Sequence, residues 1–346
     1  MHRRHFLTTI AAAVPVLMTA PRWEKANNDR TLIRPRALKV GDTIGVITPS
    51  TPVFDPDDLV VIEPTLKSFG LKVKIGKHVG KRSLTYRESV AARLDDIHAM
   101  FKDPEIKAII ASGGYGSPQL LDRLDYDLIR KNPKIFVGFS DVTALHLAIH
   151  QQTGLITFYG PSAFSGFTEF TQEHFRRALF DKAPLGILTN PDESATIRPE
   201  HRLRTVHSGR ASGRLIGGNL SLIIATMGTP YEIQTDNKLL FLEDVDEEAY
   251  SIDRMLTQLR LAKKFAAVKG IIWGECKKCG GDDNPSAASI YTVGETIDNL
   301  LKPLGIPVLS GMTIGHTADM LTLPLGVQAT LDADKGTLTI LESAVQ

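Results

Sequence analysis

The hydrophobic pattern changes period repeatedly along the chain, and each change marks an element. Thr43 to Thr48 is an apolar run that ends in a Pro/Ser loop, which predicts a buried first strand. From about Pro56 the spacing lengthens: Leu59, Ile62, Leu66 and Phe69 fall on one helical face, and Gly70 ends it. Leu71 to Ile75 predicts a strand, Arg87 to Phe101 a helix carrying Val90, Leu94, Ile97 and Phe101, and Lys107 to Ala111 another strand. After Pro133, Ile135-Phe136-Val137 predicts one more buried strand, and Val142, Leu145, Leu147, Ala148 and Ile149 continue as a helix. Alternation of strand and helix up to His150 predicts a parallel α/β sheet, whose ligands gather at the carboxyl ends of its strands.

After Phe180 the texture changes. Residues 181–210 are rich in Pro, Asp, Glu, Arg and Ser, with little periodicity, and predict an exposed linker between an N-terminal domain (31–180) and a second domain (211–346). The second domain opens with Gly213 to Leu220 and a helix to Met227. Lys238 to Leu242 is an apolar strand running into Glu243-Asp244, Ser251 to Leu261 a helix, and Val268 to Trp273 and Ile306 to Leu309 further strands. The tail predicts a hairpin, Ala329 to Leu331 with Thr337 to Leu341, turned by Asp334-Lys335-Gly336.

Composition changes this picture mainly at the N-terminus. Arg3-Arg4-His5-Phe6-Leu7, followed by a short apolar run to Ala20, predicts a twin-arginine export signal within residues 1–26, cut near Ala20 or Ala26. The run falls short of the about 20 residues that span a bilayer, so the processed protein is expected in the periplasm without a membrane segment. A net charge of +1 gives no case for nucleic acid as partner. The two cysteines, Cys276 and Cys279, lack the further ligands of a structural zinc site and do not open a helix as a thioredoxin-like motif does. That leaves a small local disulfide or two free thiols.

Candidate chemistry falls at strand ends. In Gly138-Phe139-Ser140-Asp141 a strand turns into a helix with no room for a loop, the geometry of a nucleophile elbow, with the N–H after the Ser free to face an oxyanion. The same residues fit a plain N-cap, and Val142 stands where Gly-x-Ser-x-Gly has its second Gly. Gly113-Gly114-Tyr115-Gly116-Ser117, also after a strand, offers close backbone approach and a second oxyanion donor. It lacks the ending of a P-loop, and its Ser117 is a weaker nucleophile candidate because Pro118 has no N–H to offer. A Ser nucleophile needs a base and an orienting carboxylate. Among ten histidines, His316 is held in a Gly-flanked loop after a strand, and Glu243 sits where an apolar strand ends.

Taken together, these motifs resemble those of the serine LD-carboxypeptidases of murein recycling, which include the microcin C immunity peptidases. The resemblance rests on Gly113-Gly114-Tyr115-Gly116, Gly138-Phe139-Ser140-Asp141, Gly217-Gly218-Asn219-Leu220, Leu242-Glu243-Asp244 with Ile252-Asp253-Arg254-Met255-Leu256, and Gly315-His316 before Leu323-Pro324-Leu325-Gly326. It covers almost all of the chain from Leu38 to Leu341. It implies a flavodoxin-like parallel-sheet N-terminal domain with a smaller α/β C-terminal domain, commonly a homodimer. It further implies a Ser140–His316–Glu243 triad and an oxyanion hole from the N–H groups of Gly114 and Asp141, with Gly113 and Tyr115 beside the substrate. No metal or other cofactor is implied. The implied substrate is the murein tetrapeptide, losing its terminal D-Ala. The alternatives are an immunity-type peptidase and a catalytically silent murein-peptide binder. Two departures stand out: Ser112 replaces the Arg that many members carry before the paired glycines, and the loop from Cys276 to Asn284 differs in texture.

Overall fold

The apolar runs of the first half pair as parallel strands. The structure is a computed structural model describing residues 30–51, 56–83, 85–280 and 291–346, so the expected export signal (residues 1–26) lies outside the described residues. Strands β1 (Thr43–Ile47), β2 (Lys72–Ile75), β3 (Ile106–Ala111), β4 (Ile135–Gly138) and β5 (Phe158–Tyr159) lie in the order β2-β1-β3-β4-β5, all parallel. That is the flavodoxin-like order. Because successive side chains point to opposite faces, both faces need cover. Helices α1 (Pro56–Ser68) and α5 (Glu169–Phe180) bury Ile62, Leu66 and Phe175 on the face of Ile44, Val46 and Ile110. Helices α2 (Tyr86–Lys102), α3 (Tyr126–Lys131) and α4 (Thr143–Thr153) bury Ile97, Phe101, Ile129 and Leu145 on the face of Ile47, Ile109 and Phe136.

The second half builds an eight-stranded mixed sheet. Its strands are β6 (Gly186–Leu188), β7 (Arg204–His207), β8 (Arg210–Asn219), β9 (Lys238–Val245), β10 (Gly270–Lys277), β11 (Val308–Met312), β13 (Gln328–Asp332) and β14 (Thr337–Ile340). β12 (Leu323–Pro324) leaves this sheet and pairs antiparallel with β5, so the second half contributes an edge to the first sheet. Helices α6 (Leu220–Ala225), α7 (Ala249–Leu261) and α8 (Val293–Leu301) complete it. β8, β9, β10 and β11 run parallel at the centre, and the predicted hairpin forms as β13–β14 with Ala329 opposite Ile340. Among the described residues no helix is long and apolar enough to cross a membrane.

Residues 181–210 are not simply a linker. They supply both edges of the second sheet, β6 beside β14 and β7 beside β11, and bury Leu188, Asn190, His201 and Val206. Edge strands of three and four residues carry too few positions to show a period, and Pro and charge are what such edges commonly hold. Glu243 and Asp244 lie inside β9 rather than beyond it. Cys276 and Cys279 are joined as a disulfide at the end of β10, and residues 281–284 of that loop lie outside the described residues.

Candidate active site

The turn after β4 leaves no space for a side chain at Gly138, where a Cβ would stand 2.9 Å from the Ala111 carbonyl oxygen. Phe139 is extended, Ser140 takes φ 62°, and the chain passes through a 3₁₀ turn (Ser140–Val142) directly into α4. A left-handed non-glycine residue costs roughly 1–2 kcal/mol, so the surroundings must hold it. One restraint is visible: Ser140 N–H donates to Tyr159 Oη at 3.0 Å. Ser140 Oγ then lies 3.0 Å from His316 Nε2.

His316 reaches that position from the loop after β11. Gly315 has φ 91°, and a Cβ there would stand 2.0 Å from Glu243 Oε2, so only glycine lets the loop pass. His316 Nδ1 lies 2.8 Å from Glu243 Oε2, and its ring packs edge-on to Phe139 with centroids 5.0 Å apart. A carboxylate only accepts, so Nδ1 carries the proton and Nε2 is left to accept from Ser140 Oγ–H. Burial pulls the imidazole's pKa down, but the hydrogen bond to Glu243 and the charges of Glu243, Asp244 and Asp246 outweigh it and raise it above the ordinary value.

Glu243 is fully buried on β9, and both its oxygens are engaged. Beside Oε2 with His316, Oε1 accepts from Tyr159 Oη at 2.6 Å and from Asn219 Nδ2 at 3.1 Å. Asn219 faces Glu243 because β8 and β9 are in parallel register there, and it also donates to Asp244 at 3.0 Å. Burial and the neighbouring Glu243 hold the Tyr159 phenol well above its ordinary pKa, so it stays a donor. Burial, with Glu243 adding to it, raises Asp244 to about 6 against its bonds from Ser221 and Asn219.

The glycine loop after β3 is shaped by the Asp141 side chain. Its carboxylate accepts from Gly116 N–H (3.1 Å), Ser117 N–H (2.7 Å) and Ser50 Oγ (2.5 Å). Ser117 is fully buried and donates its hydroxyl to the Asp141 carbonyl, which removes it as the rival nucleophile. Gly113 packs against Ser140, where a Cβ would come 3.2 Å from that of the serine. The N–H groups of Gly114 and Asp141 are not engaged by hydrogen bonds among the described residues. Tyr115 anchors its own N–H on Thr51 Oγ1 and is 77% exposed as a residue. Ser112 is buried and its Oγ has no partner among the described residues. The nearby cation, Arg93, does not replace the missing Arg: its guanidinium is spent on the carbonyls of Ser89, Pro49 and Gly116 and on Gln119.

The structure thus brings Ser140, His316, Glu243 and Gly113 together, with Gly114 and Asp141 beside them. Sequence reasoning missed Tyr159, the support of Asn219 and the loop-shaping role of the Asp141 carboxylate. Asn219 lay in a motif already singled out, but its role needs the β8–β9 register, and Tyr159 sits in an unremarkable apolar pair. Among the described residues, His78, Asp95 and Asp96 could hold a metal ion, with ligand atoms within 4.8 Å of one another, but none of the three touches the Ser140 constellation.

Comparison with known proteins gives the family. Residues 44–160 match the family model described as the LD-carboxypeptidase N-terminal domain, and residues 212–331 the LD-carboxypeptidase C-terminal domain. A probable murein peptide carboxypeptidase of Bacillus subtilis is 39% identical over 80% of this chain and 85% of its own. The microcin C7 self-immunity protein MccF of Escherichia coli is 34% identical over 88% and 94%. Solved MccF in its wild-type apo state superposes with a TM-score of 0.80 at 32% identity, covering 91% of this chain and 100% of MccF. Muramoyltetrapeptide carboxypeptidase from Oxalobacter formigenes does so at 0.72 and 28%, covering 87% and 99%. With a two-domain α/β fold shared along nearly its whole described length, the chain belongs to the LD-carboxypeptidase family.

Proposed function

We propose that this peptidase is of the serine type and removes the terminal D-alanine from murein tetrapeptide stems. The observation that carries the reading is the run of contacts from Ser140 Oγ to His316 Nε2 (3.0 Å) and from His316 Nδ1 to Glu243 (2.8 Å). A hydroxyl beside an imidazole whose far nitrogen is tied to a carboxylate is an activated nucleophile. Ser140 Oγ attacks the carbonyl that joins an L-centre residue to the terminal D-residue, and its proton passes to His316 Nε2. Glu243 holds the tautomer and stabilises the imidazolium, while the N–H groups of Gly114 and Asp141 receive the oxyanion. His316 returns the proton to the departing D-alanine amine. It then takes a proton from the water that attacks the acyl-serine and returns it to Ser140 Oγ as the acyl–oxygen bond breaks.

The murein reading is supported by what the Bacillus and Oxalobacter relatives are named for. A second reading, cleavage of a peptidyl-adenylate, is favoured by the higher TM-score to MccF, which has been solved with aspartyl sulfamoyl adenosine. Incubation with tetrapeptide stems and with a peptidyl-adenylate conjugate, followed by mass spectrometry, separates them. The proposal expects stems shortened by one alanine. Conversion of the conjugate alone transfers the chain to the second reading, and conversion of neither sinks the hydrolase reading. Export through the Arg3-Arg4 pair is part of the proposal and directs the enzyme to periplasmic substrate. Replacing both with Lys should hold the precursor in the cytoplasm, and undiminished export would count against it.

A further inference from the structure

Three residues beyond the base, the His316 loop carries a second histidine assembly. Asp319 Oδ2 lies 3.2 Å from His201 Nε2, and His201 Nδ1 lies 2.5 Å from Glu275 Oε1 on β10. The His201 side chain is 2% exposed. Asp319 Oδ1 accepts from Thr168 Oγ1 at the start of α5, and Thr171 Oγ1 of α5 donates to the Ala318 carbonyl and accepts from Met320 N–H. The loop bearing His316 is therefore fastened to the first domain through α5 and to the second through His201.

Both ring nitrogens of His201 face carboxylate oxygens, which only accept. A neutral imidazole has one N–H, so it would leave a lone pair against one of the two carboxylates. The arrangement fits the doubly protonated ring. Burial opposes that charge, while Glu275, Asp319 and Glu193 favour it and together raise the pKa above its ordinary value. The other charged groups facing the cluster are Glu200, on the same segment, and Lys277 of β10, which bonds Glu200 at 2.6 Å and Glu275 at 3.4 Å.

We propose that His201 is a positioning residue for the general base: as an imidazolium it clamps Asp319, and through it the His316 loop, and its loss of a proton to solvent releases that clamp. The inference rests on the assignment of His316 as base. The contact to Asp319 is the longer of the two and the more exposed, so it is the one that opens. His201 is hydrogen-bonded to carboxylates through both ring nitrogens and His316 through one, and the proposal requires that His201 keep its proton to the higher pH. Activity should then rise as His316 loses its proton and fall again as His201 does.

The test is the pH dependence of kcat for wild type, His201→Gln and Asp319→Asn. Gln cannot donate from two opposite atoms, so His201→Gln should lower kcat by about ten- to a hundredfold, as small misplacements of catalytic groups do, and should lose the alkaline limb while keeping the acid one. Asp319→Asn keeps the acceptor for Thr168 and offers its NH₂ to the neutral ring. It should hold near wild-type activity and extend it to higher pH. An alkaline limb that persists unchanged in both variants overturns the proposal, as does its absence from active wild type. Ring-carbon NMR of the two histidines reads the tether without turnover: the His316 signal should follow the His201 titration in wild type but not in Asp319→Asn. Wild type that shows this coupling but cleaves no stem or conjugate would sink the hydrolase reading and support the tether. Active wild type without the coupling would sink the tether alone.

Discussion

Two histidine–carboxylate assemblies flank one short loop and are built to opposite purposes. His316 spends one ring nitrogen on Glu243 and leaves the other against Ser140, with 20% of its side chain exposed. His201 spends both nitrogens on carboxylates and has only 2% of its side chain exposed. An imidazole with one free nitrogen can accept and return a proton within a reaction cycle, whereas one satisfied on both sides is a fastening. The carboxylates differ in the same sense. Glu243 is held by donors from Tyr159 and Asn219 and can support a transient imidazolium, while Glu275 sits between His201 and Lys277.

The largest effect that sharpens this contrast is expected from matched amide substitutions. Glu243→Gln should cost about 10⁴ in kcat through loss of tautomer control and charge stabilisation. Glu275→Gln should cost much less, since it loosens a tether and leaves Nε2 of His316 in place. Equal losses measured on the same tetrapeptide would erase the distinction between the two assemblies.

A smaller effect isolates the support beneath Ser140. Tyr159→Phe removes the donor to Glu243 and the acceptor for Ser140 N–H together. It should lower stability by about 1–3 kcal/mol, the cost of buried polar groups left unpaired, with a rate loss near tenfold. Denaturant unfolding and steady-state kinetics on the same variant would check both, and an unchanged rate would remove Tyr159 from the site.

Smallest is the effect of pH on stability, where the two histidines should act alike although their effects on activity are opposed. Both have a folded pKa above the unfolded value of about 6.5. Each therefore contributes stability that is fully present below that value and lost as pH rises through its folded pKa. On the roles proposed for them, the stabilising proton blocks the base at His316 and keeps the loop fastened at His201. Thermal unfolding between pH 6 and 9 should show a decline that His201→Gln and His316→Gln each reduce. A stability that climbs over that range would contradict both shifts.

What was legible in the sequence follows the range of the interactions involved. The elbow at Ser140 could be read because strand, turn and helix are contiguous, and the parallel sheet because short apolar runs alternate with stretches of helical period. Glu243 and His316 were picked out as a carboxylate at a strand end and a histidine in a Gly-flanked loop, and only the resemblance joined them to Ser140, because the contacts between them span 176 and 73 residues. Tyr159 and His201 were invisible for the same reason, and His201 was further hidden in a stretch whose Pro and charge suggested exposure. Its burial comes from edge strands that exist only once β11 and β14 are in place to pair with them.

The central claim is that Ser140 and His316 act as one unit across the two domains. The direct test is the tetrapeptide cleavage rate of Ser140→Ala, His316→Ala and the double variant, each confirmed as folded. Residues that act as a unit lose nearly everything at the first substitution, so all three rates should fall by several orders of magnitude to one common residual level, within a few-fold. A double variant slower than either single by the product of their separate losses, or a Ser140→Ala protein that still releases D-alanine at the wild-type rate, would contradict the account.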